Sequence, residues 1–115
     1  MTTEKKDQPE NAIHTIELNQ SDLRNLEIIF LHARKAVLEN ENELSNIISF
    51  KKILTEKLSG KINGQENAFS ADDMRNLEVV FLYARRTCVD NEAELISIIQ
   101  FKRALVEKFK PTPKQ

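Results

Sequence analysis

The sequence has very little of what covalent chemistry or a metal site would need. Its 115 residues include one cysteine, two histidines, two glycines and no tryptophan. The single cysteine, Cys88, excludes an internal disulfide and any zinc site built from several thiolates, and it fits a reducing compartment. With only Gly60 and Gly64, the chain has no glycine-rich loop that could hold a phosphate group.

The histidines and the cysteine also lack the neighbours that would give them a chemical role. His14 and His32 have no acid at ligand spacing, and the Glu-x-x-His pattern of di-metal bundles does not occur. Cys88 falls at a core position, where we expect a small buried hydrophobe. We therefore predict no metal, no cofactor and no enzymatic activity.

Neither charge nor hydropathy points to nucleic acid or to a membrane. The 17 basic and 18 acidic residues leave a net charge of −1, so no global field attracts polyanions. Apolar runs such as Ile28–Leu31 are far too short to span a bilayer. No apolar segment follows the polar N-terminus, so no signal peptide is expected. The prediction is a cytoplasmic protein without membrane contact.

What the chain does contain is an internal repeat. Residues 18–58 align with residues 69–109 without a gap, at a constant offset of 51, and 20 of the 41 positions are identical. The most similar stretches read RNLEIIFLHARK from Arg24 and RNLEVVFLYARR from Arg75. The second half therefore duplicates the first, which constrains the architecture but does not identify a function.

Each repeat carries two helix start signals, in which an N-cap residue is followed three positions later by an acid. The four signals are Asn19 with Asp22, Asn40 with Glu43, Ser70 with Asp73, and Asn91 with Glu94. They predict four helices, over about residues 20–38, 41–59, 71–89 and 92–109. The alternative is one continuous helix of roughly forty residues per repeat, because the apolar positions keep a heptad-like register through the polar stretch.

The predicted fold class is all-α, a tandem duplication of a helical hairpin that forms a pseudo-twofold four-helix bundle. Ile13, Ile16 and Leu18 also fit a short extended segment that lies on the core. The linker is long enough to allow either relative direction of the two hairpins. The predicted organisation is a flexible tail at 1–11, a single four-helix domain at 12–110 and a flexible tail at 111–115, with repeat 1 at 18–58, a linker at 59–68 and repeat 2 at 69–109.

Three charged positions of each repeat fall inside the apolar arc of a helical wheel. They are Glu27, Arg34 and Lys51, and in the second copy Glu78, Arg85 and Lys102. Charges in such places are normally paired. In a hairpin that turns near residue 40, Lys51 lies level with Glu27. If the first helices of the two repeats cross near Phe30 and Phe81, Glu27 also faces Arg85. Glu78 then faces Arg34 in the same way, which gives two internal ionic clusters.

The predicted clusters have three interpretations. In the first, the charges fix the register of the hairpins while the long lysine and arginine stems reach water. In the second, the basic groups bind an anionic ligand that the glutamates position. In the third, the positions on the helical wheel do not correspond to burial, and the side chains are simply exposed.

The outward face of the first helix mixes bases with apolar and aromatic residues in both repeats. This outer strip comprises Arg24, Asn25, Ile28, His32 and Lys35, and in the second copy Arg75, Asn76, Val79, Tyr83 and Arg86. It is an ordinary solvated face, a surface that binds a protein partner, or a nucleic-acid contact. Ile28 and Leu31, apolar beyond the usual stripe, also suit a homodimer.

These patterns predict a binding protein rather than an enzyme. The preferred hypothesis is a small α-helical protein–protein interaction or regulatory protein that associates with itself as a homo-oligomer. The first alternative is a nucleic-acid-binding accessory protein that uses the basic residues of the outer strip. The second alternative is an anionic-ligand site at the repeated Glu/Arg/Lys set.

Overall fold

The computed structural model describes residues 13–59 and 65–111, and these residues are mostly helical. The four helices are α1 (Gln20–Ala36), α2 (Glu41–Leu58), α3 (Ala71–Thr87) and α4 (Glu92–Lys108). The predicted tail at 1–11, the last four residues of the predicted tail at 111–115, and residues 60–64 of the predicted linker lie outside the described residues.

The predicted capping boxes open α1 and α3. The side chain of Asn19 accepts a hydrogen bond from the backbone N–H of Asp22 at 2.8 Å, and the Asp22 carboxylate accepts one from the backbone N–H of Asn19 at 3.1 Å. Ser70 and Asp73 form the same reciprocal pair. Each box satisfies two donors that a helix start would otherwise leave without partners. The predicted helix starts are therefore confirmed.

Each repeat bends into two helices at the predicted place. The backbone N–H of Val37 donates to the Arg34 carbonyl, and that of Asn40 donates to the Val37 carbonyl. These hydrogen bonds join residues three positions apart, instead of the four of an α-helix. The helix α1 therefore ends at Ala36, two residues before the predicted end. Asn40 then caps α2 by accepting from the Glu43 N–H at 3.1 Å. The alternative of a continuous helix is therefore wrong.

A small antiparallel sheet adds to the predicted helices. Its strands are β1 (Ile13–Glu17), β2 (Glu66–Ser70) and β3 (Lys110–Pro111), in the order β2-β1-β3. β1 coincides with the predicted extended segment, but β2 begins inside the predicted linker. The helical part of the all-α prediction is confirmed, and the sheet is a feature that it omitted. β2 places the polar Asn67 at a buried position, which hides the alternation that normally signals a strand.

The sheet joins the two halves of the chain, and one of its residue pairs has the same offset as the repeats. Ile16 in β1 lies opposite Asn67 in β2, and these two positions are 51 apart in sequence. The inward side chains Ile16, Leu18 and Phe69 are almost fully buried. The sheet therefore forms a base that the N-terminal ends of α1 and α3 share.

α1 and α3 make the most extensive contact between any two helices of the described residues. Ala33 and Ala84 are completely buried, and their small side chains allow the two backbones to approach. The Thr87 hydroxyl in α3 donates to the His32 carbonyl in α1 at 2.6 Å. Both helices leave the sheet at their N-terminal ends and meet again near their C-terminal ends, so they run in the same direction.

α2 and α4 return from the far end of the molecule to the sheet. Phe30 packs on Phe50 with ring centroids 5.9 Å apart, and Phe81 packs on Phe101 at 6.0 Å. These ring pairs join each second helix to the first helix of its own repeat. The core also contains Leu26, Ile29, Val37, Ile47, Leu54, Leu58, Leu77, Val80, Cys88, Ile98 and Leu105.

Candidate functional site

The repeated glutamates and lysines come together within each hairpin, but at its surface. Lys51 Nζ lies 3.6 Å from Glu27 Oε1, and Lys102 Nζ lies 3.2 Å from Glu78 Oε1. The Glu27 and Glu78 side chains are 65% and 61% exposed, so these pairs are not the internal clusters expected from the wheel. The lysine stems are half-buried while their ammonium groups reach water. A wheel gives the angle of a side chain, but not how far the neighbouring helix covers it.

The arginines of the predicted clusters do not join these pairs. Arg34 and Arg85 are half-buried, and neither forms an ion pair within residues 13–59 and 65–111. The expected contacts of Glu27 with Arg85, and of Glu78 with Arg34, do not form. These contacts required the first helices to cross so that Glu27 faces the later part of α3. Because α1 and α3 run in the same direction from the sheet, Glu27 is instead level with Glu78.

A second set of ion pairs, which the sequence analysis missed, joins the two repeats. Lys57 near the end of α2 lies 2.7 Å from the Asp73 carboxylate in the first turn of α3. Its ammonium group also donates to the Ala68 carbonyl at 2.9 Å. Lys108 in α4 contacts Asp22 in α1 in the same way. Each aspartate therefore caps its own helix and binds the other repeat. The contact with the other repeat depends on how the helices are arranged in space, so it could not be read from the sequence.

The environment of Asp73 changes its acidity. Burial raises the pKa of this carboxyl group, but the hydrogen bonds from Lys57 and Ser70, together with the positive charge of Lys57, lower it by more. The net pKa is below the ordinary value of 3.8. The ionised carboxylate is thus favoured in the folded chain and contributes to holding the two repeats together.

The outer strip is less uniform than its sequence indicates. His32 is half-buried, and its Nε2 lies 3.2 Å from Glu94 Oε2 of α4. At the equivalent place in the second repeat, the Arg86 guanidinium lies over the Tyr83 ring, 5.6 Å from its centroid. Arg75 contacts Asp72 of its own helix. Several strip residues thus take part in local contacts.

Other strip positions border two shallow clefts. Asn25 and Ile28 line a cleft of about 510 Å³ between α1 and α4. Asn76 and Val79 line its counterpart of about 330 Å³ between α3 and α2. The middle of the outer strip therefore lies beside a helix of the other repeat rather than on an isolated outward face.

An apolar ridge runs along the exposed side of each first helix. It consists of Ile28 and Leu31 on α1 with Leu38 in the turn that follows, and of Val79, Leu82 and Val89 at the equivalent positions of α3 and its following turn. Leu38 and Val89 are 63% and 66% exposed. Large apolar side chains scattered singly on a surface are common, but these lie along one helix face and recur in the second repeat.

A further cleft lies between α1 and α2, on the side of the Glu27–Lys51 pair. Its volume is about 280 Å³, and it is lined by Leu23, Leu26, Glu27, Phe30, Lys51, Leu54, Thr55, Leu58 and Ser59. The walls are chiefly leucines and one phenylalanine, whereas the polar groups lie at the rim. This arrangement can hold an apolar group with a polar end.

Neither a nucleophile nor a metal site is evident in the described part of the chain. Cys88 is buried, and burial together with the nearby Glu94 charge raises the pKa of its thiol, so little reactive thiolate forms. No group of three or more His, Cys, Asp or Glu residues within 13–59 and 65–111 could hold a metal ion. Over the same residues, no helix has the length and apolar character needed to cross a bilayer.

Comparisons with protein-family models, with curated proteins and with solved structures found no match to this chain.

Proposed function

We propose that the chain is a tandem duplication of a helical hairpin, folded as a pseudo-twofold four-helix bundle, and that it works as a protein–protein interaction or regulatory protein that associates with itself. The support for the duplication is that ion pairs, ring pairs and caps occur in sets 51 residues apart. The support for binding is a surface feature, the apolar ridge.

The apolar ridge is the observation that carries the proposal. Ile28, Leu31 and Leu38 are all exposed, and helical spacing puts Ile28 and Leu31 on one side of α1, with Leu38 in the turn that follows. Exposed apolar groups gathered on one surface are typical of interaction sites. Arg24 and Lys35 lie on the same exposed side of α1. An apolar centre with basic groups at its margin resembles the core and rim of protein interfaces.

The duplicated ridge favours a second copy of this chain as the partner. A twofold interface brings the same patch of two subunits together. The ridge of α1 and the ridge of α3 have similar composition, so either can meet its equivalent on another molecule. Burying the ridge would remove apolar side chains from water on both partners.

Sedimentation velocity over a range of protein concentrations tests self-association. We expect the full chain to form dimers or larger species, and the double variant Leu31→Glu, Leu82→Glu to sediment as a monomer. Val106→Glu is the matched control, because Val106 is similarly exposed but lies on α4 outside the ridge. A monomer at the highest concentration, or equal loss of association in the control, would contradict self-association.

The nucleic-acid alternative has less support. Of the four strip bases that it needs, Arg75 contacts Asp72 and Arg86 stacks on Tyr83. The net charge of −1 provides no general attraction to phosphates. A gel-shift experiment at low salt separates the hypotheses, since binding there would favour this alternative.

A further inference from the structure

The cleft between α1 and α2 combines apolar walls with a basic margin. Leu26, Phe30 and Leu54 are buried and form its interior. Lys51 and Thr55 line its mouth, and the same two residues also line a neighbouring shallow depression with Arg34 and Lys52. The cleft therefore opens directly onto a group of cations.

The charges around this mouth are incompletely neutralised. Lys51 pairs with Glu27 at 3.6 Å, and Glu56 also lines the depression. Three cations thus face two carboxylates. Arg34 is half-buried and has no ion pair among the described residues, so its guanidinium is available to an anionic group. Arginine recognises carboxylates well because its planar fork of donors matches their geometry.

The second repeat keeps the charges but changes the cavity residues. Glu78, Arg85 and Lys102 repeat the charged set, whereas Phe109 stands at the position of Leu58 and Val106 at that of Thr55. The larger Phe109 ring packs edge-on against Phe69, with ring centroids 5.2 Å apart. The charged set alone therefore does not distinguish the first repeat, but the residues that line the cleft beside it do.

We propose that the α1–α2 cleft binds a small amphipathic anion, a medium-chain carboxylic acid, with its hydrocarbon chain between the helices and its carboxylate held by Arg34 and Lys51. A carboxylate complements the charge of the margin, where Arg34 has no ion pair among the described residues. A hydrocarbon chain suits the interior, which has no polar side chain. The volume of about 280 Å³ lies just below the range of roughly 300–1,000 Å³ for small-molecule sites, which suits a small ligand. The inference does not rest on self-association, since a monomer would offer the same cleft.

Isothermal titration calorimetry of the full chain with decanoate, below the concentration at which it forms micelles, tests the site. We expect one molecule to bind per chain. Each methylene group that leaves water is worth about fourfold in affinity, so octanoate should bind at least tenfold more weakly. Decanol, which lacks the charge, should also bind more weakly than decanoate.

Matched variants locate the site by using the second repeat as the control. Leu58→Phe introduces the residue of repeat 2 and should weaken decanoate binding at least tenfold, whereas Phe109→Leu should leave it unchanged. Lys51→Gln should reduce the preference for decanoate over decanol, whereas Lys102→Gln should not. Circular dichroism establishes that each variant is folded. If Leu58→Phe does not fold, the Lys51→Gln variant, at the rim of the cleft, still decides.

Four outcomes would overturn the proposal. They are no binding of decanoate, binding without dependence on chain length, equal loss in Lys51→Gln and Lys102→Gln, and unchanged binding in a folded Leu58→Phe variant. Sedimentation velocity of the same samples reports separately on self-association, so failure of one proposal is distinguishable from failure of the other.

Discussion

The two repeats share many of the contacts that join helices, and they differ at a few other positions. The Phe30–Phe50 and Phe81–Phe101 ring pairs have nearly equal separations and interplanar angles of 49° and 47°. The glutamate–lysine pairs and the aspartate–lysine pairs also occur twice. These ring pairs and ion pairs thus have the same role in both copies.

Two of the differences between the repeats concern side-chain contacts. His32 contacts Glu94, whereas the equivalent Tyr83 stacks with Arg86. At the base of the second helix, Leu58 is replaced by Phe109, which packs on the sheet. The duplicated contacts therefore serve chiefly to stabilise the fold. A function that belongs to one repeat alone would depend on the positions that differ.

The largest expected effect concerns the duplicated ring pairs. Phe30→Ala and Phe81→Ala each remove a buried ring and should lower the free energy of unfolding by about 3–5 kcal/mol. The two losses should be similar, because the rings have equivalent neighbours. Urea unfolding followed by circular dichroism measures them, with Leu in place of Ala if a variant does not fold. A loss confined to one repeat would break the comparison.

An intermediate effect is expected at the contacts between repeats. Asp73→Asn and Asp22→Asn each weaken a cap and an ion pair, which should cost about 1–2 kcal/mol. The adjacent Asp72→Asn is the control, because Asp72 is exposed and contacts only its own helix. We expect that control to stay within about 0.5 kcal/mol of the wild type. Equal effects at Asp72 and Asp73 would argue against the inter-repeat contact.

The pH dependence of the Asp73 contribution sharpens the same comparison. The pKa of Asp73 is lower in the folded chain than its ordinary value of 3.8, so the carboxylate stabilises the fold above that value. This contribution is lost as the pH falls through the folded-state pKa. The stability difference between wild type and Asp73→Asn should therefore shrink below about pH 4 in urea unfolding experiments. A difference that is constant with pH would contradict the ionic contribution.

The smallest effect is expected at the surface pairs within each hairpin. Glu27→Gln and Glu78→Gln should each change the free energy of unfolding by only about 0–0.5 kcal/mol, because both glutamates are mostly exposed. The same urea experiment measures these values. A cost above about 1 kcal/mol would mean that the pairs are less accessible to water than their geometry indicates.

The helices and their starts were predictable because their signals are local. An N-cap such as Asn19 acts on residues three positions away, and the apolar period is visible along a single helix. Cys88 was also correctly placed in the core from its alignment with Val37. The location of Glu27 was not predictable, since its exposure depends on how far α2 covers the flank of α1.

The sheet and the contacts between repeats depend on residues far apart in the chain. Asn67 gives β2 a polar residue at an inward position, so the strand has no clear sequence pattern. The pairing of Lys57 with Asp73 requires α2 and α3 to meet at the sheet. Neither feature follows from spacing along one segment.

The sequence by itself determined two similar pairs of capped amphipathic helices, because capping and hydrophobic periodicity act over a few residues. The tertiary structure decided that α1 and α3 run in the same direction on a shared sheet. That direction sets which charges meet: it joins Asp73 to Lys57 and leaves Arg34 without a partner in the described part of the chain. The basic margin beside the α1–α2 cleft therefore results from contacts between distant parts of the chain, and not from composition.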